Sequence, residues 1–416
     1  MVYRDDWNEV EIGELGEIIT GQTPKTSISE NYGGNLIFLT PSDDMDKRYV
    51  TDTNRKLTQL GAKSVKNKII PPNSICVSCI GSQLGKVVIT TEQTVTNQQI
   101  NTIIPNDKND YMYLYYAMKI VGKRLNHLSK TSTAVPIINK TVFSSEKILL
   151  PPLKEQIAIA KLLSSLDDKI ENNKAIIANL EAQAQAIFKS WFIGFEPFQD
   201  GDFVESELGM IPEGWEVKKI EEVTESLLGG TPARKKEEFW CGDIPWINSG
   251  ELNKIRIIEP TEYITKKGLE NSSTKLLPKK TTVIAITGAT LGQVSLLEID
   301  TCANQSVIGI LENENLPYEY IYPFFLNNID MIILNQTGSS QQHINNNDIK
   351  NTKMILPINK VMDAYEQIVS PIYKLVENYM FQNKVLSQTR DTLLPKLMSG
   401  EIRLGQDDIE EIENLL

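Results

Sequence analysis

A chain of 416 residues, 41% hydrophobic and 23% charged, has the make-up of a globular protein too long for one ordinary core and suited to two domains with connecting structure. No stretch approaches the roughly 20 apolar residues of a membrane span, and the charged start Met1 to Asp6 lacks the apolar segment of a signal peptide, so no membrane association and a cytoplasmic location are expected. The net charge of −12 has the wrong sign for a generic nucleic-acid binder, and four cysteines, only Cys76 and Cys79 of them close together, suggest neither a disulfide framework nor a zinc site.

In chain order, Trp7 and Ile12 precede a Gly21-Gln-Thr-Pro24 loop, and short β-branched runs such as Leu36 to Thr40 and Val87 to Thr90 alternate with Gly, Pro, Asn and Lys clusters. That pattern predicts strands and loops of a mixed α/β domain. The run Ser74 to Ile80 reads as a buried strand, which puts Cys76 and Cys79 on opposite faces; with only His127 and His343 to complete a shell, no metal site is expected. Gly81-Ser-Gln-Leu-Gly-Lys86 resembles a Walker A loop but is one residue short between glycines, and Val87 stands where Ser or Thr must hold magnesium.

The character changes at Leu150-Pro151. From Leu153 to Trp191 there is no Pro or Gly, and apolar residues recur at Ile159, Leu163, Leu166, Ile170, Ile177, Leu180, Ala184, Ile187 and Trp191, with Asn173 filling the one gap. Spacing that alternates four and three predicts a long helix with a coiled-coil seam.

After Trp191 the whole pattern repeats. Trp7 recurs as Trp215, Ile12 as Ile220 and Thr23-Pro24 as Thr231-Pro232 at an offset of 208. Gly81 to Gly85 meets Gly288 to Gly292, and Asn97-Gln98 meets Asn304-Gln305, at 207. Asn139 meets Asn345 and Leu150-Pro151 meets Leu356-Pro357 at 206, a drift of two residues that only a duplicated fold would keep. The second helix carries Tyr365, Val369, Ile372, Val376, Tyr379, Leu386, Leu393 and Leu397, with polar breaks at Asn383 and Arg390. Two such helices most simply pack on each other. A pseudo-twofold arrangement would make them antiparallel, and about 40 residues at 1.5 Å each make a rod of roughly 60 Å, comparable to one or two turns of DNA. The alternative is that each helix merely caps its own domain.

Charge is unevenly spread: +2 over residues 1–150, −5 over 151–208, −5 over 209–357 and −4 over 358–416. Basic clusters at Lys63/Lys66/Lys68, Lys119/Lys123/Arg124, Arg234/Lys235/Lys236 and Lys275/Lys279/Lys280 lie within the domains. Base edges need donors and acceptors, and phosphates need cations. Composition alone does not establish DNA binding; if the domains read DNA, as the family resemblance given below implies, the candidate contacts are Gln22, Thr23, Lys25, Lys130, Thr131, Ser132 and Thr133 in the first domain, and Thr231, Arg234, Lys235, Lys236, Ser339, Ser340, Gln341, Gln342 and His343 in the second. Asn97/Gln98 and Asn304/Gln305, matched between copies, are expected to be shared scaffold. Asn315-Leu-Pro-Tyr318 approaches an adenine-methyltransferase signature, but Leu316 replaces a proline and no glycine-rich cofactor loop precedes it. Neither glycine loop carries the central serine of a nucleophile elbow.

The run PPLKEQIAIAKLLSSLDDKI (151–170), opening a long helix, and LLPKLMSGEIRL (393–404) resemble the two conserved regions of type I restriction-modification specificity subunits. Trp7, Trp215, the Gly-x-Thr-Pro loops and Thr337 to Ile344 are similar to that family's target-recognition domains. The first copy departs from it with Thr131-Ser-Thr-Ala-Val-Pro-Ile-Ile138, and the second helix opens with Ile358-Asn-Lys in place of Pro-Leu-Lys-Glu-Gln. The resemblance implies an α+β fold: a target-recognition domain at 1–152, a central helix at 153–195, a second such domain at 196–357, a distal helix at 358–404 and an acidic tail at 405–416. It implies a non-catalytic subunit whose domains each read half of a bipartite site in double-stranded DNA. Two methyltransferase (modification) subunits would dock on the helices, and restriction subunits would join through them. No cofactor is expected in this chain; S-adenosylmethionine, ATP and Mg would belong to the partners. An orphan bipartite DNA-binding regulator without enzyme partners is the other reading.

Overall fold

A computed structural model describes residues 7–130, 138–334, 344–405, 407 and 408, the side chains of 128–130 excepted. The chain divides into two compact units, residues 1–170 with 385–416, and residues 171–384. The division cuts both long helices, the central one at Leu153–Phe192 and the distal one at Asn359–Met398, each of 40 residues. Each unit therefore holds one α/β domain and part of both helices.

In the first unit a five-stranded sheet runs in the order Gly16–Thr20, Ile100–Pro105, Ile75–Ser78, Val87–Thr90, Tyr49–Val50. A four-stranded sheet runs Lys56–Leu57, Tyr32–Leu39, Thr94–Thr96, Ile69–Ile70. Ile75–Ser78 and Val87–Thr90 are buried throughout because the larger sheet is covered on both faces. Ile75, Val77 and Ile89 face a core completed by Tyr113, Tyr116 and Met118 of the helix Tyr111–Lys130, while Cys76 and Val88 face Ile37, Leu39 and Ile70. Strand alternation thus sends Cys76 and Cys79 into different cores, and burial pushes their thiols up to about 12 and about 11. The strand Lys147–Leu150 returns to pair with Asn8–Glu11, Asn8 opposite Leu150, closing the domain on itself.

The second unit repeats this plan element by element. Its larger sheet runs Ser226–Leu228, Val307–Ile310, Thr282–Ala285, Val294–Leu297, Arg256–Ile257, and its smaller one Glu262–Ile264, Trp240–Ile247, Thr301–Ala303, Leu276–Leu277. The parallel pairing of Ile37 to Leu39 with Thr94 to Thr96 recurs as Trp246 and Ile247 with Cys302 and Ala303. The matched Asn139 and Asn345 are helix N-caps, Asn139 accepting from Val142 N–H and Asn345 from the N–H groups of Asn347 and Asp348. Tyr113 and Tyr320 donate to the carbonyls of Leu149 and Ile355, again equivalent positions.

Each helix both completes a domain core and pairs with the other helix. In the first unit Ala158, Ile159 and Leu163 of the central helix meet Leu394, Leu397 and Met398 of the distal one within the core that holds Trp7. The segments run antiparallel: Arg403 lies over the Trp7 ring, whose Nε1 donates to Glu155, and Arg390 Nη1 reaches Asp167 Oδ1 at 2.6 Å. In the second unit Ala184, Phe188 and Phe192 meet Met362, Tyr365, Val369 and Tyr373 in the core that holds Trp215, and buried Asn173 donates to Gln382 and Asn383 at 2.7 and 2.9 Å. Of the predicted seam, Ile159, Leu163, Ile170, Ala184, Tyr365, Val369, Val376 and Leu397 are buried. Leu166, Ile177, Leu180, Ile187, Ile372, Leu386 and Leu393 are half-buried, and the neighbours Phe188, Phe192, Tyr373 and Leu394 take the deepest positions. At Ile187, Trp191, Ile372 and Leu393 the buried face thus lies one residue beyond the predicted seam, while Ala184, Tyr365 and Leu397 keep to it. An α-helix turns every 3.6 residues, so a buried face drifts off a strict 3.5 pattern wherever the domain core fixes the helix.

A buried arginine ties each domain to the central helix. Arg48 pairs with Asp168, and at the equivalent position Arg256 pairs with Glu181 at 2.7 Å and with Glu298 at 2.5 Å. Burial alone would lower the Arg256 pKa, but the charges of Glu181 and Glu298 outweigh it and raise the value.

Candidate nucleic-acid interface

The Gly-x-Thr-Pro loops are held by the same contacts in both domains. Gly21 presses on the end of Thr94–Thr96 and Gly229 on the end of Thr301–Ala303, so closely that a Cβ would lie 2.2 Å from the carbonyl oxygen of Thr96 or Asn304. Only glycine fits there. Thr23 donates through its N–H and its hydroxyl to Gln98 Oε1, at 3.2 and 2.7 Å, and the Thr231 hydroxyl donates to Gln305 Oε1 at 2.5 Å. Asn97 and Asn304 accept from the N–H groups of Gln99 and Ser306. Thr23 and Thr231 are thus fastened to the amides expected to be scaffold, leaving Gln22 and Lys25 exposed beside Thr23.

Next to each loop lies a pair of edge-to-face aromatic rings, Tyr32 with Phe38 and Trp240 with Trp246. The Tyr32 hydroxyl donates to Pro24 O at 2.7 Å, and Trp240 Nε1 donates to Ala233 O, which joins the rings to the loops. An arginine covers each pair, but from different places in the chain. In the second domain it is Arg234, 3.8 Å from the Trp240 ring centre, with both its terminal nitrogens on Glu262; those hydrogen bonds raise its pKa. In the first domain it is Arg55, over Tyr32 and Phe38, with no carboxylate partner among the described residues. Glu262 stands where the repeat puts Arg55, at offset 207. Sequence reasoning passed over Arg55, although a position of opposite charge in the two copies marks a place where their surfaces diverge.

The remaining candidates divide. Lys235 and Lys236 are exposed, Lys236 lying over the Phe239 ring. Thr131, Ser132 and Thr133, and Ser339, Ser340, Gln341, Gln342 and His343, lie outside the described residues, as does the side chain of Lys130. The two segments occupy equivalent places in the repeat: Ile138 N–H bonds Cys79 O after one, and Ile344 N–H bonds Ile286 O after the other. Of the basic clusters, Lys63 and Lys66 are exposed. Lys279 and Lys280 are bound to Glu377, Lys280 also to Glu298, and Arg124 to Glu146. Asn315 to Tyr318 leads into the helix Tyr318–Leu334, with Asn313 bridged to Leu316. No group of His, Cys, Asp and Glu able to hold a metal ion occurs among the described residues, and no described helix is long and apolar enough to cross a membrane.

One loop-bearing α/β unit, built twice and each time joined to both long helices, defines a duplicated binding module. The family model for the type I restriction modification DNA specificity domain matches residues 4–182 and 212–378, and the chain belongs to this family. The MjaIX specificity subunit of a type I restriction enzyme from Methanocaldococcus jannaschii is 30% identical over 96% of this chain and 94% of its own length. The HindI specificity subunit from Haemophilus influenzae is 23% identical over 95% of this chain and all of its own. The solved S subunit from M. genitalium shares the fold, with a TM-score of 0.61 at 17% identity over 96% of this chain and 98% of that one. The family is the DNA-recognition component of type I restriction-modification systems and is not catalytic. Its partners are DNA and restriction-modification subunits.

Proposed function

We propose that this chain acts in the cytoplasm as the sequence-specificity subunit of a type I restriction-modification complex. Each α/β domain reads one half of a bipartite site, and the helix length between the readers sets the unread gap. The observation that carries this reading is the duplication itself, two equivalent loop surfaces on two helices of equal length. The first reader uses Gln22, Lys25 and Arg55 with the 130–133 segment. The second uses Lys235, Lys236 and the 339–343 segment, with Arg234 held against Glu262. Two modification subunits dock on the helices and bring S-adenosylmethionine; restriction subunits join through them and use ATP and Mg.

The test is to co-express the chain with the modification subunit of its host and map methylated adenines across the genome. A bipartite motif is expected. Deleting one heptad from each helix shortens the rod by about 10 Å, equivalent to about 3 base pairs at 3.4 Å each. The gap should contract by that amount while both half-sequences persist; an unchanged gap would refute the ruler.

A further inference from the structure

The two readers differ at a place their loops do not reveal. In the first domain the turn ending at Gly85 lies directly on the helix Tyr111–Lys130 at Gly122, so closely that a Cβ on either glycine would come within 2.1 Å of the other's carbonyl oxygen. This backbone contact floors a hollow of about 350 Å³ walled by Lys86, Lys123, Asn126 and His127. Asn126 Nδ2 donates to Leu84 O at 2.8 Å, fixing that wall, and Lys86 is paired at 2.6 Å with the exposed Asp46. Lys123 and His127 are exposed and have no carboxylate partner among the described residues.

The equivalent place in the second domain is closed, and the matching positions bring one carboxylate and no cation. Offset 207 puts Gln293, Ile329, Asp330, Ile333 and Leu334 where Lys86, Gly122, Lys123, Asn126 and His127 stand. A Cβ on Gly292 there would meet the Ile333 side chain at 2.7 Å. One copy of the duplicated fold has kept room and cations at a spot that the other has filled with isoleucine.

We propose that the Gly85/Gly122 hollow seats a backbone phosphate of DNA, with Lys123 and His127 as its donors, and that only the first domain has this anchor. The proposal rests on the DNA-recognition reading above. A small concave site with a glycine floor and cationic walls suits a phosphodiester, which needs charge and close approach but offers no sequence information. Its position is apt: His127 lies three residues before the end of its helix at Lys130, where the 131–137 segment begins, and that segment ends at Ile138 on Cys79, beside the Gly81 turn. A phosphate held there would register the duplex against the segment nominated to touch bases. The first domain's charge of +2 against −5 in the second has the same sense.

The experiment measures binding of a mixed-sequence duplex at several KCl concentrations, using the full chain reconstituted with the modification subunits of its host. Each neutralised phosphate contributes about 0.9 to the slope of log affinity against log salt. Lys123→Ala should make the slope shallower by about 0.9, Lys123→Arg should restore it, and Lys218→Ala, which removes an equal charge paired with Glu216 elsewhere, should leave it unchanged. Wild-type binding with the same slope in Lys123→Ala overturns the anchor alone. A wild-type complex that shows no salt-dependent binding overturns both the anchor and the DNA-recognition reading.

Discussion

Replacing Arg256 with methionine tests whether the second domain is fastened to the central helix by charge. The guanidinium is 1% exposed, with Nε 2.7 Å from Glu181 of the central helix and Nη1 2.5 Å from Glu298, itself fully buried. Glu298 would keep Lys280 as a partner, whereas Glu181, whose side chain is 11% exposed, would lose its cation. Removing one member of a buried pair costs about 3–5 kcal/mol, because the remaining charge is left desolvated. At about 2–4 °C per kcal/mol for a unit of this size, the melting temperature of the second unit should fall by about 6–20 °C. Trp191, Trp215, Trp240 and Trp246 all lie in that unit and only Trp7 lies in the other, so tryptophan fluorescence of the full chain follows the transition directly. Adding Glu181→Gln should recover most of the loss, since it removes the carboxylate left without its cation while Glu298 stays paired with Lys280. A single Arg256→Met variant within about 1 kcal/mol of wild type would refute the reasoning. At Arg48 the Asp168 carboxylate should contribute little to the cost of the matching change, because it is 63% exposed and stays solvated without the arginine.

Glu377 gives a pH dependence of definite sign. Partial burial would raise its pKa, but hydrogen bonds from Lys279 and Lys280 reverse this and hold it below the ordinary carboxylate value. A depressed folded-state pKa contributes stability that is complete above the unfolded value, about 4.3, and is lost as pH falls through the folded one. Unfolding midpoints should therefore drop less between pH 6 and pH 3 in Glu377→Gln than in wild type; equal drops would contradict the assignment. Arg55→Ala should weaken binding of cognate DNA by about 1–3 kcal/mol, the scale of one good arginine contact to a base. Anisotropy titration reads this out, and undiminished affinity would remove Arg55 from the interface.

Much of this molecule is legible before any folding is considered. Repeats and periodicities are properties of the chain alone, so the duplication, the two long helices, the change of character at the Leu-Pro boundaries and the scaffold role of Gln98 and Gln305 follow from spacing. The polar interruptions of the helical stripes looked like weaknesses for the same reason: one stripe viewed alone shows a gap. Across the helix pair they are partners, Asn173 with Asn383 in one unit and Asp167 with Arg390 in the other.

What only the tertiary structure decided depends on residues far apart in sequence. Arg234 reads as a free cation until Glu262, 28 residues on, is seen to hold it, and Lys279 and Lys280 likewise until Glu377 is placed beside them. Arg55 becomes a candidate only when its rings are visible and no carboxylate is found on it among the described residues. The hollow at Gly85 and Gly122 exists because two glycines 37 residues apart touch. Charge and side-chain type are local, but whether a charge is spent internally or left for a partner is settled by what the fold brings within a few ångströms of it.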